Sequence, residues 1–142
     1  DCDASGDFGK DFMPRALNEL HPHLWGNERW AVNTHQYCGK VILLKKGFKS
    51  SLHYHNVKDE TFMCIQGIVL LEVWEKGLTG SRDLVVLKGG PMDAYRLPPG
   101  TPHRFRAITD TATVVEFSTT HSEEDVVRLE GAMKLEENDS DN

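Results

Sequence analysis

The chain has 142 residues and a mass of 16.0 kDa, enough for one domain and too little for two well-buried cores. Hydrophobic residues make up 39% and charged residues 27%, which supports a packed core and excludes wholesale disorder. The net charge is −6, and residues 123–142 carry all of it with eight acids against two bases, so a neutral body with an acidic tail is a poor partner for nucleic acid or anionic lipid.

In chain order, the first ten residues are rich in Gly and Asp and read as loose. They have neither the basic nor the apolar region of a signal peptide, and the absence of an initiator Met fits a processed, trimmed or excised piece of something longer. Residues 10–24 read as a short helix, with Leu17, Leu20 and Leu24 at helical spacing and Pro14 and Pro22 limiting it. From Arg29 the pattern changes to short β-type runs. Strands are expected over 29–33, 40–46, 50–55, 61–66, 68–74, 83–88, 94–97, 103–108 and 113–118. Gly47, Gly67, the 77–80 run, Gly89-Gly90-Pro91 and Pro98-Pro99-Gly100 punctuate them. This is the pattern of an all-β sandwich or barrel rather than a layered α/β fold. After it, Ser122 with Glu123, Glu124 and Asp125 reads as a helix start, and Val126, Val127 and Leu129 as the apolar face of a C-terminal helix over 122–135. Residues 136–142 are acidic, have nothing to bury and are expected to be disordered.

Two exclusions come from the same pass. No apolar run approaches the ~20 residues needed to span a bilayer as a helix; the longest, residues 67–71, stops at Glu72. Cys2, Cys38 and Cys64 are odd in number and form no CxxC, which disfavours a disulfide framework and a thiolate zinc site. A soluble, cytoplasmic protein is the expectation.

One cluster carries chemistry. His53 and His55 are two apart, so on a strand both imidazoles project from one face. Glu60 follows at the start of the next apolar run, and His103 comes after the Pro-Pro-Gly turn. Three imidazoles and a carboxylate suit one divalent transition ion (Mn, Fe, Zn, Co or Ni) and leave a position or two for water or substrate. Within their own runs His53, His55, Glu60, Phe62, Cys64, His103, Phe105 and Ala107 keep parity, which places Phe62 and Phe105 along the pocket and Cys64 either beside them or in the core as a small buried hydrophobe. Tyr54, Arg104 and Arg106 fall on the opposite face, as packing or interface residues.

The frame around these residues is specific. Gly47, five residues, His53-Tyr54-His55, four residues, Glu60, six residues and Gly67 are followed later by Pro98-Pro99-Gly100, two residues and His103. Here the sequence resembles the cupin superfamily. Every fixed position of the family's first motif is present. In the second, the leading Gly would fall at Met92 and the trailing Asn at Ala107, neither a ligand position. The resemblance implies a single cupin (double-stranded β-helix, jelly-roll) barrel over 25–121, between an N-terminal segment (1–24) and the C-terminal helix, with His53, His55, Glu60 and His103 as metal ligands. A second resemblance, on residues 24–30, 58–62 and 117–121, is to mannose-6-phosphate-isomerase-like and sugar-pathway cupins, and implies a sugar or sugar phosphate at the metal.

Other residues are weighed beside these. His21-Pro22-His23 reads as a loop without a carboxylate at ligand spacing, and His35 and His121 as surface or capping residues. Trp25 and Trp30 plug the barrel end or a dimer interface, and residues 25–33 supply the edge for a homodimer. Glu116, in the apolar run 113–117, faces either solvent or the cavity, where it would serve as a general base. Lys58, Arg96 and Lys40 read as exposed salt-bridging cations, with holding a sugar phosphate or carboxylate as the alternative. Three functions follow: a metal-dependent sugar isomerase or epimerase, an Fe(II)-dependent dioxygenase on the same ligands, and a sugar- or small-acid-binding barrel without turnover.

Overall fold

In a computed structural model the chain is described over residues 19–136, and regular structure there is almost entirely β. The strands are β1 Glu19–His23, β2 Gly26–Asn33, β3 Cys38–Lys45, β4 Phe48–Lys49, β5 Leu52–His55, β6 Glu60–Gln66 and β7 Ile68–Val73. They continue with β8 Asp83–Lys88, β9 Ala94–Leu97, β10 His103–Ala107, β11 Thr111–Ser118, β12 Val126–Glu130 and β13 Met133–Lys134. A six-stranded sheet runs β1-β2-β3-β11-β6-β9 and a five-stranded sheet runs β12-β5-β10-β7-β8, with β13-β4 as a short ribbon. Every pairing is antiparallel. All nine expected strands are present, with ends displaced by at most three residues.

The core lies where the two sheets' inner faces meet. Ile42, Leu44, Phe62, Cys64, Leu97 and Val114 come from the six-stranded sheet, and Val69, Leu71, Val73, Leu87 and Phe105 from the other. Alternation explains the selection: along β3 the residues Cys38, Lys40, Ile42 and Leu44 are buried while Gly39, Val41, Leu43 and Lys45 are not. The five-stranded sheet is also covered on its outer face, where Glu72 is 2% exposed. Its carboxylate meets Arg104 at 2.9 and 3.2 Å, Arg82 at 2.7 Å and Lys49 at 3.6 Å. Arg104 thus falls in the outer-face packing expected of it.

Both ends of the described chain differ from the helices expected there. Residues 10–18 of the N-terminal helix lie outside the described residues. Residues 19–23 form β1, paired with β2 through Glu19↔Trp30 to His23↔Gly26. His21-Pro22-His23 is therefore strand, with Pro22 tolerated on an edge. The C-terminal helix over 122–135 is absent. A single 3-10 turn, Glu123–Asp125, leads into β12, which pairs with β5 through Val126↔His55, Val127↔Tyr54 and Arg128↔His53. The β-branched pair Val126-Val127 suits a strand, and β12 covers the edge that β5 would otherwise leave open. Residues 25–33 likewise offer no free edge for a second copy, because β2 sits between β1 and β3 of its own chain. Of the expected disordered tail, residues 137–142 lie outside the described residues.

The turns carry the motif glycines for a steric reason. Gly67 has φ +73° between β6 and β7, and a Cβ there would collide with Thr109 Oγ1 and the Thr111 carbonyl. Gly100 has φ +82° and donates its N–H to the His55 carbonyl at 2.6 Å, docking the Pro-Pro-Gly turn on β5. At the position where the second motif would carry Gly, Met92 keeps the left-handed conformation at φ +57°, the single non-glycine with positive φ among the described residues. A Cβ in that region costs about 1–2 kcal/mol. Because Met92 is exposed, Met92→Gly is expected to raise stability by about 0.5–1 kcal/mol after the unfolded-state entropy of glycine is counted. Urea denaturation checks it, and an unchanged or lower midpoint would contradict the strain argument.

Candidate metal centre and its cavity

β5 and β10 set the cluster. His53 and His103 are directly opposed across the two strands, and His55 lies two residues on, where Val126 of β12 covers it. Glu60 opens β6 on the facing sheet. One nitrogen from each of His53, His55 and His103 falls within 4.8 Å of the others. Glu60 Oε2 stands 3.3 Å from His55 Nε2 and 3.2 Å from His103 Nε2. His55, Glu60 and His103 are all buried. The four ligand candidates come together as the sequence spacing implies.

The outer hydrogen bonds fix which nitrogens face inward. Nδ1 of His53 lies 3.0 Å from the Ser51 carbonyl and Nδ1 of His103 lies 2.9 Å from that of Thr101, so each donates its proton there. That leaves Nε2 with a free lone pair, the tautomer arrangement common to metal-bound imidazoles. Nε2 of His103 is buried and close to Glu60, yet has no hydrogen bond of acceptable geometry. An orphaned buried nitrogen facing a carboxylate oxygen fits two donors arranged about a common cation rather than bonded to each other. Burial above all keeps His53 and His55 neutral, lowering the pKa of His53 to about 3 and of His55 to about 4. The Glu60 carboxyl is held below the usual carboxylate range: burial opposes this, but His103, Lys58 and His55 outweigh it. Neutral imidazoles and an ionised carboxylate are the states a divalent ion requires.

The cluster opens into a cavity of about 460 Å3. Phe62 and Phe105 form its apolar floor, edge-to-face at 5.7 Å, and Trp25 meets Phe105 edge-to-face at 5.1 Å. Glu116 faces inward and is buried. Lys58 Nζ contacts Glu116 at 2.5 Å, Glu60 Oε1 at 3.7 Å and His121 Nδ1 at 3.1 Å. Burial tends to lower the Lys58 pKa, but Glu116 and Glu60 more than offset this, so it stays protonated. The loop bearing Lys58 is held from far along the chain: Asp125 accepts the N–H groups of Val57 and Lys58, each at 2.9 Å.

Not every residue singled out in the sequence reaches the cavity. Cys64 is fully buried, with Sγ against the Gln66 and Gly67 carbonyls, and is not among the lining residues. Arg96 points outward and pairs with Asp59 at 2.7 Å. Conversely, His121 lines the wall between Lys58 and Glu123, not the surface position expected of it. His21 and His23 line it as well, stacked on Trp30 and Trp25 at 3.9 and 4.5 Å. Glu28 and Arg128 complete the set that sequence reading passed over, and Lys40, read there as a surface cation, is 2% exposed in the wall.

Two antiparallel sheets carrying a three-histidine, one-carboxylate cluster in a lined cavity are the arrangement that the cupin resemblance implies. The D-lyxose ketol-isomerase of Cohnella laeviribosi is 32% identical to this chain over 112 residues, 66% of the chain and 61% of the relative. Among solved structures, the capsular polysaccharide assembling protein CapF from Staphylococcus aureus superposes with a TM-score of 0.71 at 17% identity, over 86% of this chain and 34% of that one. Oxalate decarboxylase from Bacillus subtilis gives 0.69 at 20% identity, over 80% and 30%. The chain therefore spans less than two thirds of each of these proteins, and the two structures share its fold. No protein-family model matches it. Among the described residues no helix is long and apolar enough to cross a membrane.

Proposed function

We propose that this protein is a metal-dependent aldose–ketose isomerase acting on a small sugar. The observation that carries the reading is the buried Lys58–Glu116 pair, which lies in the cavity, is not part of the ligand cluster, and touches it through Glu60. Isomerisation needs a base that is not consumed by the metal, and this pair supplies one. The likeness to a ketol-isomerase supports the same chemistry.

His53, His55, Glu60 and His103 would hold the ion. The chemistry such an ion would supply is Lewis-acid polarisation of the substrate carbonyl, which would acidify the adjacent C–H. The Glu116 carboxylate takes the proton from the carbon bearing the hydroxyl and returns it to the former carbonyl carbon, while the hydroxyl's own proton passes to the former carbonyl oxygen. The Lys58 ammonium, kept cationic by its two carboxylate neighbours, donates to the oxygen on which negative charge grows. Phe62, Phe105 and Trp25 exclude water from the reacting carbons.

The test begins with metal content per chain by inductively coupled plasma mass spectrometry, on protein purified without chelator, beside His53→Ala. About one equivalent of a transition metal, lost in the variant, is expected, followed by conversion of D-lyxose to its ketose by NMR. Absence of metal even after reconstitution would sink the proposal. Iron with oxygen consumption and no ketose would replace it with the dioxygenase.

A further inference from the structure

A second ion pair lines the cavity, contributed by strands other than those that build the ligand cluster. Glu28 on β2 and Lys40 on β3 meet at 3.4 Å, and Lys40 Nζ also sits 4.3 Å from the centre of the Trp30 ring. Lys40 is 2% exposed, so its ammonium has left water almost completely. Of its three N–H groups, one reaches Glu28 Oε1, and the Trp30 face takes up charge but accepts no strong hydrogen bond. A buried ammonium with unused donors is costly unless something else in the cavity accepts from it.

Glu28 has matching spare capacity. Its Oε1 accepts from Trp30 Nε1 at 2.9 Å and from Lys40, while its Oε2 is paired with His23 Nε2 alone, at 3.6 Å, which leaves that oxygen capacity for a further donor. A donor and an acceptor, each with capacity for one more hydrogen bond, therefore stand side by side against an indole. A pair of vicinal hydroxyls fits this arrangement, because each hydroxyl both accepts and donates: one takes a proton from Lys40 and its neighbour gives one to Glu28. Charge decides against a phosphate, which would bring a dianion against the Glu28 carboxylate. The cavity's other cations are matched too, Lys58 by Glu116 at 2.5 Å and Arg128 by Glu123 at 3.0 Å.

We infer that Lys40, Glu28 and Trp30 form a subsite for the neutral, vicinally hydroxylated end of the ligand, so that the substrate is an unphosphorylated sugar. The inference rests on the reading of the cavity as a sugar site. It is tested by binding alone, with a pentitol that cannot be isomerised: calorimetric titration of the full chain with D-arabinitol and with D-arabinitol 5-phosphate. D-arabinitol is expected to bind, and the phosphate ester at least about tenfold more weakly. Glu28→Gln and Lys40→Met are each expected to weaken D-arabinitol by about tenfold, the loss of one hydrogen bond to a charged group, with metal content retained. Should Lys40→Met fail to fold, the near-isosteric Glu28→Gln decides. Tighter binding of the phosphate ester, no binding of D-arabinitol, or binding indifferent to the substitutions in folded protein would each overturn the subsite. Binding that falls in Glu28→Gln without any turnover of D-lyxose would leave the subsite standing and remove the isomerase alone.

Discussion

Glu116→Gln is expected to yield a folded protein that retains its metal and loses aldose–ketose interconversion by about a hundredfold to ten-thousandfold, the range for removing a positioned general base. The expectation is specific because the substitution preserves shape. Glu116 is 3% exposed and accepts from Ser118 Oγ at 3.0 Å as well as from Lys58. A Gln side-chain oxygen can still receive both bonds while having no capacity to take a carbon-bound proton. Metal content and turnover are read on the same sample. Turnover reduced less than about tenfold with metal intact would remove Glu116 from the chemistry, and loss of metal would recast it as support for Glu60 through Lys58.

Glu72→Ala is expected to destabilise the fold by about 3–5 kcal/mol, the range for removing one partner from a buried charge cluster. Glu72 faces Arg104, Arg82 and Lys49, so the alanine variant leaves three cations crowded on the sheet's outer face with their anion gone. Burial favours the neutral form of Glu72, but Arg104, Lys49 and Arg82 together hold its carboxyl below the ordinary range. A carboxyl depressed in the folded state contributes stability that is complete above its unfolded pKa and fades as pH falls through the folded one. The difference between wild type and Glu72→Ala should therefore narrow as the solution is acidified below the ordinary carboxylate range. Chemical denaturation at neutral and acid pH reads both effects; a loss under about 1 kcal/mol at neutral pH would show that the cluster is solvated in practice.

The shared face of His53 and His55 and the run of strands were legible because both depend on local order. Ligands two apart on a strand share a face whatever the rest of the chain does, and turn glycines such as Gly67 report a backbone need that stays inside the hairpin. What could not be read was decided across the fold. The acids after Ser122 have the local signature of a helix start, yet Glu123 goes to His121 and Arg128, and Asp125 to the amides of Val57 and Lys58. No spacing rule announces a partner 67 residues away. His21, His23 and His121 were passed over for the same reason: each lies on a segment whose place against the cavity is set by sheet order, not by its neighbours in sequence. Cys64 kept the parity of the pocket residues but lies deeper in the core, since parity fixes the face of a strand and not the depth along it.

The Asp125 grip on the loop before Glu60 has a consequence for the order of events during synthesis. The ligands span residues 53 to 103, so a ribosome-bound chain exposes all four side chains well before Asp125 emerges. Until then the 56–59 loop lacks the three acceptors that Asp125 gives to the amides of Asn56, Val57 and Lys58, and β5 lacks the strand that shields His55. Closing contacts over such sequence separations is slow relative to pairing neighbouring strands. The nascent chain therefore passes through an interval in which the imidazoles are present but unshielded, and the enclosure of His55 is completed only when β12 docks.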